Sequence, residues 1–148
     1  MNLKQISTVI NIYTYAFCIG FILVVYVLKL PELITGNKNL IQYYYYDNFV
    51  YSSIMDFVLV GLYLLISFYI ITKYGFEKKN LLSKAIIVFM VSTLLSTIFY
   101  ILFKTQPKYD NFFSEWFYTV GYYGVIYDSI LLTIIYLIYK YIENIIIK

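Results

Sequence analysis

FVYSSIMDFVLVGLYLLISFYIIT, residues 49–72, is an unbroken apolar run with one charged side chain, Asp56. A bilayer core takes about 20 helical residues to cross, so the run is long enough to span it. In hydrocarbon only a helix or a closed barrel satisfies its own backbone, and the run lacks the period-two alternation of a barrel strand. It therefore predicts a transmembrane helix. Outward from it lie three more such runs, at about 9–28, 85–103 and 117–139, the last containing Asp128.

Composition agrees with that reading. Apolar residues make up 62% of the 148 and charged ones 13%, about half the usual charged share of a soluble domain. The mean hydropathy is +0.76, more than a short water-soluble chain can bury. The expected fold is all-α: a single four-helix transmembrane domain over residues 1–148, with the lipid bilayer as its first partner.

The same composition removes most chemistry. Histidine is absent and all eleven basic residues are lysines. That excludes a Ser-His-Asp triad, a His-based zinc protease site, imidazole-held haem and a bidentate guanidinium clamp. One cysteine, Cys18, cannot form an internal disulfide or a Cys-x-x-Cys pair. No glycine-rich phosphate loop occurs. No catalytic residue, metal ligand set or cofactor is assigned, and the net charge of +3 calls for no nucleic acid. There is no Asn-x-Ser/Thr acceptor site to mark topology. A membrane enzyme survives only as carboxylate-dependent chemistry without a second catalytic group. Lysine without arginine, with many Ile, Tyr and Asn, reads as codon bias from an AT-rich genome.

The first run exceeds the roughly 7–15 apolar residues of a cleaved signal and no small-residue cleavage site follows. Pro31 sits where a helix should stop. The run is expected to be a retained signal-anchor. Lysine placement sets direction: Lys4, Lys73, Lys78, Lys79, Lys84, Lys140 and Lys148 flank one side. Lys29, Lys38, Lys104 and Lys108 flank the other, cancelled by Glu32, Asp47, Asp110 and Glu115. Both termini are expected inside. The Lys73–Lys84 loop then anchors to anionic lipid heads.

Shifting the chain by 72 residues aligns Lys38–Phe68 with Asp110–Lys140, matching Asn39 with Asn111, Tyr46 with Tyr118, Tyr51 with Tyr123, Ile54 with Ile126 and Asp56 with Asp128. Leu59, Leu65 and Ile66 match Leu131, Leu137 and Ile138. Apolar identities are cheap in such a chain, but intramembrane carboxylates are rare. Coincidence remains one reading. The other is two similar hairpins, residues 1–72 and 73–148, forming a parallel internal repeat. Both aspartates would then lie ~12–15 Å from the outer helix ends, near the midplane.

A lone carboxylate there costs at least ~2.5–3.5 kcal/mol on insertion scales, so each needs a partner. Ser52 and Ser53 precede Asp56 on the same face, with Gly124 and Gly121 in the corresponding region before Asp128. The third span offers Ser92, Thr93, Ser96 and Thr97, and Tyr63, Tyr127 and Tyr136 are further donors. The candidate intramembrane site is thus Asp56, Asp128, Ser52, Ser53, Ser92 and Ser96. It is either hydrogen-bonded glue between helices, a polar path for a proton or cation, or a seat for a lipid head or a partner's basic residue.

Tyr43–Tyr46 precede the second span, and Phe112, Phe113, Trp116, Phe117 and Tyr118 precede the fourth. They read as an aromatic belt at the headgroups, or as an outer interaction surface built on Tyr43, Tyr44, Tyr45, Trp116 and Phe117. Interfacial helices are expected over Asn39–Tyr46 and Asn111–Tyr118. Cys18 is expected to be a buried, apolar-like thiol.

The segment Trp116–Asp128, WFYTVGYYGVIYD, resembles small multispan membrane proteins of large DNA viruses, a group that the AT-rich bias fits. The resemblance implies a virion or host membrane and a role without established chemistry; it assigns no functional residue. Two functions follow. One is a non-enzymatic structural or assembly component of a viral or host membrane, self-associating as a homo-oligomer or binding a membrane-protein partner. The other is a small proton or cation channel or transporter using Asp56 and Asp128.

Overall fold

The computed structural model describes residues 3–108 and 112–146. No strand occurs among them, and seven α-helices follow in order. They are α1 (Leu3–Phe21), α2 (Leu30–Thr35), α3 (Lys38–Ile41), α4 (Phe49–Lys73), α5 (Leu81–Thr105), α6 (Phe112–Val120) and α7 (Tyr122–Ile146). Helix α1 continues as a widened π-helical segment, Ile22–Val27, and α3 as another, Gln42–Asp47. Four helices, Leu3–Val27, α4, α5 and α7, are long and apolar enough to cross a membrane.

Local chemistry explains the boundaries. Asn80 caps α5 by accepting from the Ser83 amide at 2.8 Å, and Asn37 caps α3 by accepting from Leu40 at 3.0 Å, each satisfying an otherwise orphaned donor. The helices overrun the predicted third span at both ends, because a helix ends where its hydrogen bonds end and not at the first charge. The fourth span requires correction. It was expected over 117–139, but Gly121 takes φ +58°, a left-handed conformation that breaks the helix. Residues 117–120 therefore belong to α6, and the long helix starts at Tyr122. This places Asp128 six residues from its helix start and Asp56 seven from its own, about 9–11 Å along the axis. Both carboxylates lie closer to the α3/α6 end than the midplane depth expected from sequence.

Helix α7 is the axis of the bundle, packing against α1 on one side and α5 on another, while α4 closes on α5. Tyr127, Leu131, Leu132, Ile135 and Tyr136 of α7 are buried. The α1–α4 contact is aromatic: the Tyr13 hydroxyl donates to the Phe57 carbonyl, and Phe17 meets Phe57 edge-on at 5.1 Å.

The polarity of the bundle is inverted relative to a water-soluble one. Ser52, Ser67, Ser92, Ser96, Ser114 and Ser129 are all 0% exposed, whereas Ile54, Val58, Leu62 and Leu65 of α4 and Ile86, Met90, Leu94 and Ile101 of α5 face outward. Small polar residues inside and large apolar ones outside is the distribution favoured when the solvent is hydrocarbon. Cys18 is exposed, which corrects the expectation of burial: its face of α1 also presents Tyr15, Ile19 and Ile22 outward.

Candidate functional site

Asp56 and Asp128 each occupy the second turn of a long helix, and both line the same cavity. That cavity, about 120 Å³, is bounded by α4, α5, α6, α7 and the π-helical segment after α3. A smaller space of about 40 Å³ sits against the same two carboxylates, floored by Val60, Leu131 and Leu132. The first is large enough for several waters or a small ligand, the second for about one water.

The two acids are held differently. Asp128 accepts a hydrogen bond from the Ser96 hydroxyl of α5. Beside it Ser129 and Thr93 pair their hydroxyls at 2.8 Å, a second α5–α7 link. Asp56 has one oxygen, Oδ1, within 3.5 Å of the Tyr44 hydroxyl. Its Oδ2 is buried without a hydrogen-bond partner, as are Ser53 Oγ, Ser92 Oγ and Tyr136 OH. None of the cavity's lining residues is a lysine. The described ion pairs, Glu32–Lys38, Lys108–Glu115 and Lys140–Glu143, all lie elsewhere.

The roof is aromatic. Trp116 of α6 packs on Tyr44 at 4.7 Å between centroids and on Tyr127 at 5.9 Å. The Tyr45 hydroxyl donates to the Tyr127 hydroxyl at 2.9 Å, buried. Burial holds the Tyr44 and Tyr45 phenols well above their ordinary pKa, so both remain donors through neutral pH. Phe103 of α5 stacks on Phe117 at 5.6 Å, and Tyr63 stacks on Phe99 at 6.4 Å, closing the α4–α5 wall. Trp116 reaches this position because residue 124 has no side chain: a Cβ there would lie 2.9 Å from Trp116 Nε1.

The structure redistributes the residues expected from sequence. Ser96 meets Asp128 as anticipated. Ser52 instead donates to the carbonyl of Phe49 on its own helix, the local bond that serine makes within a helix, and Ser53 and Ser92 make no bond to either acid. Of the expected outer surface, only Tyr43 is open, at 49% exposed; Tyr44, Tyr45, Trp116 and Phe117 are at most 5% exposed and form the roof of the cavity. The reason is that α3 and α6 do not lie flat at the periphery. The π-helical segment after α3 and helix α6 cover the bundle end, where their rings bury against each other and Tyr127 of α7. Phe99 and Phe103 escaped the sequence reading. Their spacing with Ser92 and Ser96 (i, i+4, i+7, i+11) places all four on one face of α5, and that period is the signal that would have found them.

The donors present are carboxylate, hydroxyl and ring face. Among the described residues no group of three or more His, Cys, Asp or Glu converges. Two acids on one cavity wall can take up a proton or balance the charge of a cation. Fold and site together define a class: an all-α bundle of four long apolar helices around an acidic, aromatic-roofed chamber. No family model, curated protein or solved structure matches the chain.

Proposed function

We propose that this chain is a multi-pass membrane protein, with both termini on the cytosolic side, that binds and passes a proton or small cation through the Asp56–Asp128 chamber. The observation that carries the reading is the pairing of two acids on one cavity with Asp56 Oδ2 buried and unpartnered. If the carboxylates served only as glue, each buried oxygen would be expected to find a donor, since an unsatisfied one costs about 1–3 kcal/mol. A buried acid oxygen with no hydrogen-bond partner, on a side chain that lines a cavity, is instead suited to take up a proton or to serve as counter-ion to a bound cation.

The two-hairpin repeat belongs to this proposal. The 72-residue shift carries α4 from 49–73 to 121–145, within one residue of α7, and carries Lys38–Asp47 onto 110–119, overlapping α6. Each acid then stands in the second turn of its long helix, beneath an aromatic roof to which both repeat units contribute. Asn111, matched to Asn39, lies outside the described residues.

Proton and cation flux into liposomes tests the reading, comparing the wild type with Asp56→Asn plus Asp128→Asn. Flux that vanishes in a double variant that remains folded supports conduction through the chamber. A silent wild type, with a double variant equally stable in detergent, overturns it.

A second reading has its own support. The Ser96–Asp128 and Thr93–Ser129 contacts tie α5 to α7, which is what a structural or assembly component of a viral or host membrane needs. In that case the exposed apolar faces of α4 and α5 meet lipid, another copy or a membrane-protein partner.

A further inference from the structure

We propose that the occupant of the chamber is a small organic ammonium ion, of the methylated-amine class, anchored by Asp56 under a cage of ring faces. This rests on the reading of the chamber as a cation site and names its substrate class. Of the twelve residues lining the larger cavity, eight are aromatic and two are Asp56 and Asp128, with Met55 and Leu59 completing the wall.

Three physical considerations select the class. An alkali or alkaline-earth ion exchanges its hydration shell for about six or more oxygen ligands, whereas this wall offers chiefly rings and two carboxylates. An alkylated ammonium needs few hydrogen bonds, and its charge is spread over methyl groups that pack on ring faces. Each cation–π contact contributes about 0.5–2 kcal/mol, the upper end when desolvated. Size limits the occupant: about 120 Å³ is of the same order as the ~150 Å³ that accommodates benzene, which suits one compact ion no larger than tetramethylammonium and excludes a large lipophilic cation.

The two acids divide the work. Asp128 already accepts from Ser96, while Asp56 Oδ2 is the buried acceptor with no donor. Asp56 is therefore the counter-ion and Asp128 a secondary charge. Trp116 and Tyr44, tilted against each other with centroids 4.7 Å apart, roof the site.

Trp116 is the one tryptophan of the chain, so its emission reports on this cavity. The experiment titrates the full chain in detergent at neutral pH with tetramethylammonium, with sodium at matched ionic strength, and with tert-butanol as a neutral molecule of similar size. A saturable emission change with tetramethylammonium alone is expected. It should be weakened about tenfold or more by Asp56→Asn, less by Asp128→Asn, and partly by Tyr44→Leu. An equal response to tert-butanol overturns the proposal, because it reduces the site to an apolar pocket. A response to sodium without tetramethylammonium also overturns it, yet leaves the proton or small-cation reading intact. No response to any of the three, together with silent liposomes, removes both. The three wild-type titrations decide the matter even where a variant fails to fold.

Discussion

Tyr45 and Tyr127, 82 positions apart in the chain, join their hydroxyls at 2.9 Å with both rings fully buried. The contact pins the segment after α3 to the second turn of α7 and fixes the roof over the two carboxylates. Removing the Tyr45 hydroxyl as Tyr45→Phe should cost about 0.5–1.5 kcal/mol, the net contribution of one such bond. Equilibrium unfolding in mixed micelles measures it. Tyr127→Phe should cost the same, and the double variant should cost less than the sum, since one bond is removed twice.

Asp128 serves as the acceptor of an interhelical hydrogen bond from Ser96. Ser96→Ala should destabilise the bundle by ~0.6–2 kcal/mol, the range for polar contacts between membrane helices. Asp128→Asn keeps an acceptor oxygen and should lose less than Asp128→Ala. An Asn variant as damaging as the Ala variant would show that charge, not hydrogen bonding, holds α5 to α7.

Gly121 separates α6 from α7 with φ +58°. Gly121→Ala should cost about 1–2 kcal/mol through the left-handed backbone alone, with Gly121→Asn milder because Asn enters that region more readily. The expected signature is lower thermal stability with little change in helical circular dichroism. A continuous α6–α7 helix tolerated at wild-type stability would contradict the break.

Glu115, on α6 beside Trp116, pairs with Lys108 at 2.6 Å. The hydrogen bond from that ammonium holds its carboxyl below the usual glutamate value of 4.5. A depressed folded-state pKa means the contribution is present above about pH 4.5 and lost as pH falls through the lowered value. Trp116 emission should therefore show an acid step below that pH, and Glu115→Gln should abolish that step alone. The pair is half-exposed, so high salt should shrink the effect.

Cys18 lies exposed on α1 in the middle of the outward apolar face. In liposomes it should react readily with a lipid-soluble maleimide and hardly at all with a charged, water-restricted one. Equal labelling by both reagents would place that face in water and remove the bilayer from the account.

The four long helices were legible because hydrophobicity and length are properties of the local chain. Once a run exceeds what a bilayer needs, no distant residue has to be known. The two rare charges within those runs were legible for the same reason: Asp56 and Asp128 announce themselves against an uncharged background. Short-range rules also reached Ser96, by its spacing along α5, and the helical nature of the segments before α4 and α7.

Where those segments point depends on how the helices pack. Tyr44, Tyr45, Trp116 and Phe117 have the composition of a headgroup belt, and an isolated amphipathic helix would lie at the interface. They turn inward because Gly121 lets α6 fold back and because Gly124 leaves room for the indole, two facts that matter only once α6 and α7 are side by side. The same holds for the acids. Sequence placed each on its helix, but that they share one cavity, and that Asp128 has a donor for its Oδ2 while Asp56 Oδ2 has none, depends on how α4, α5 and α7 pack. Periodicity is a property of one helix, whereas a cavity belongs to the gap between several.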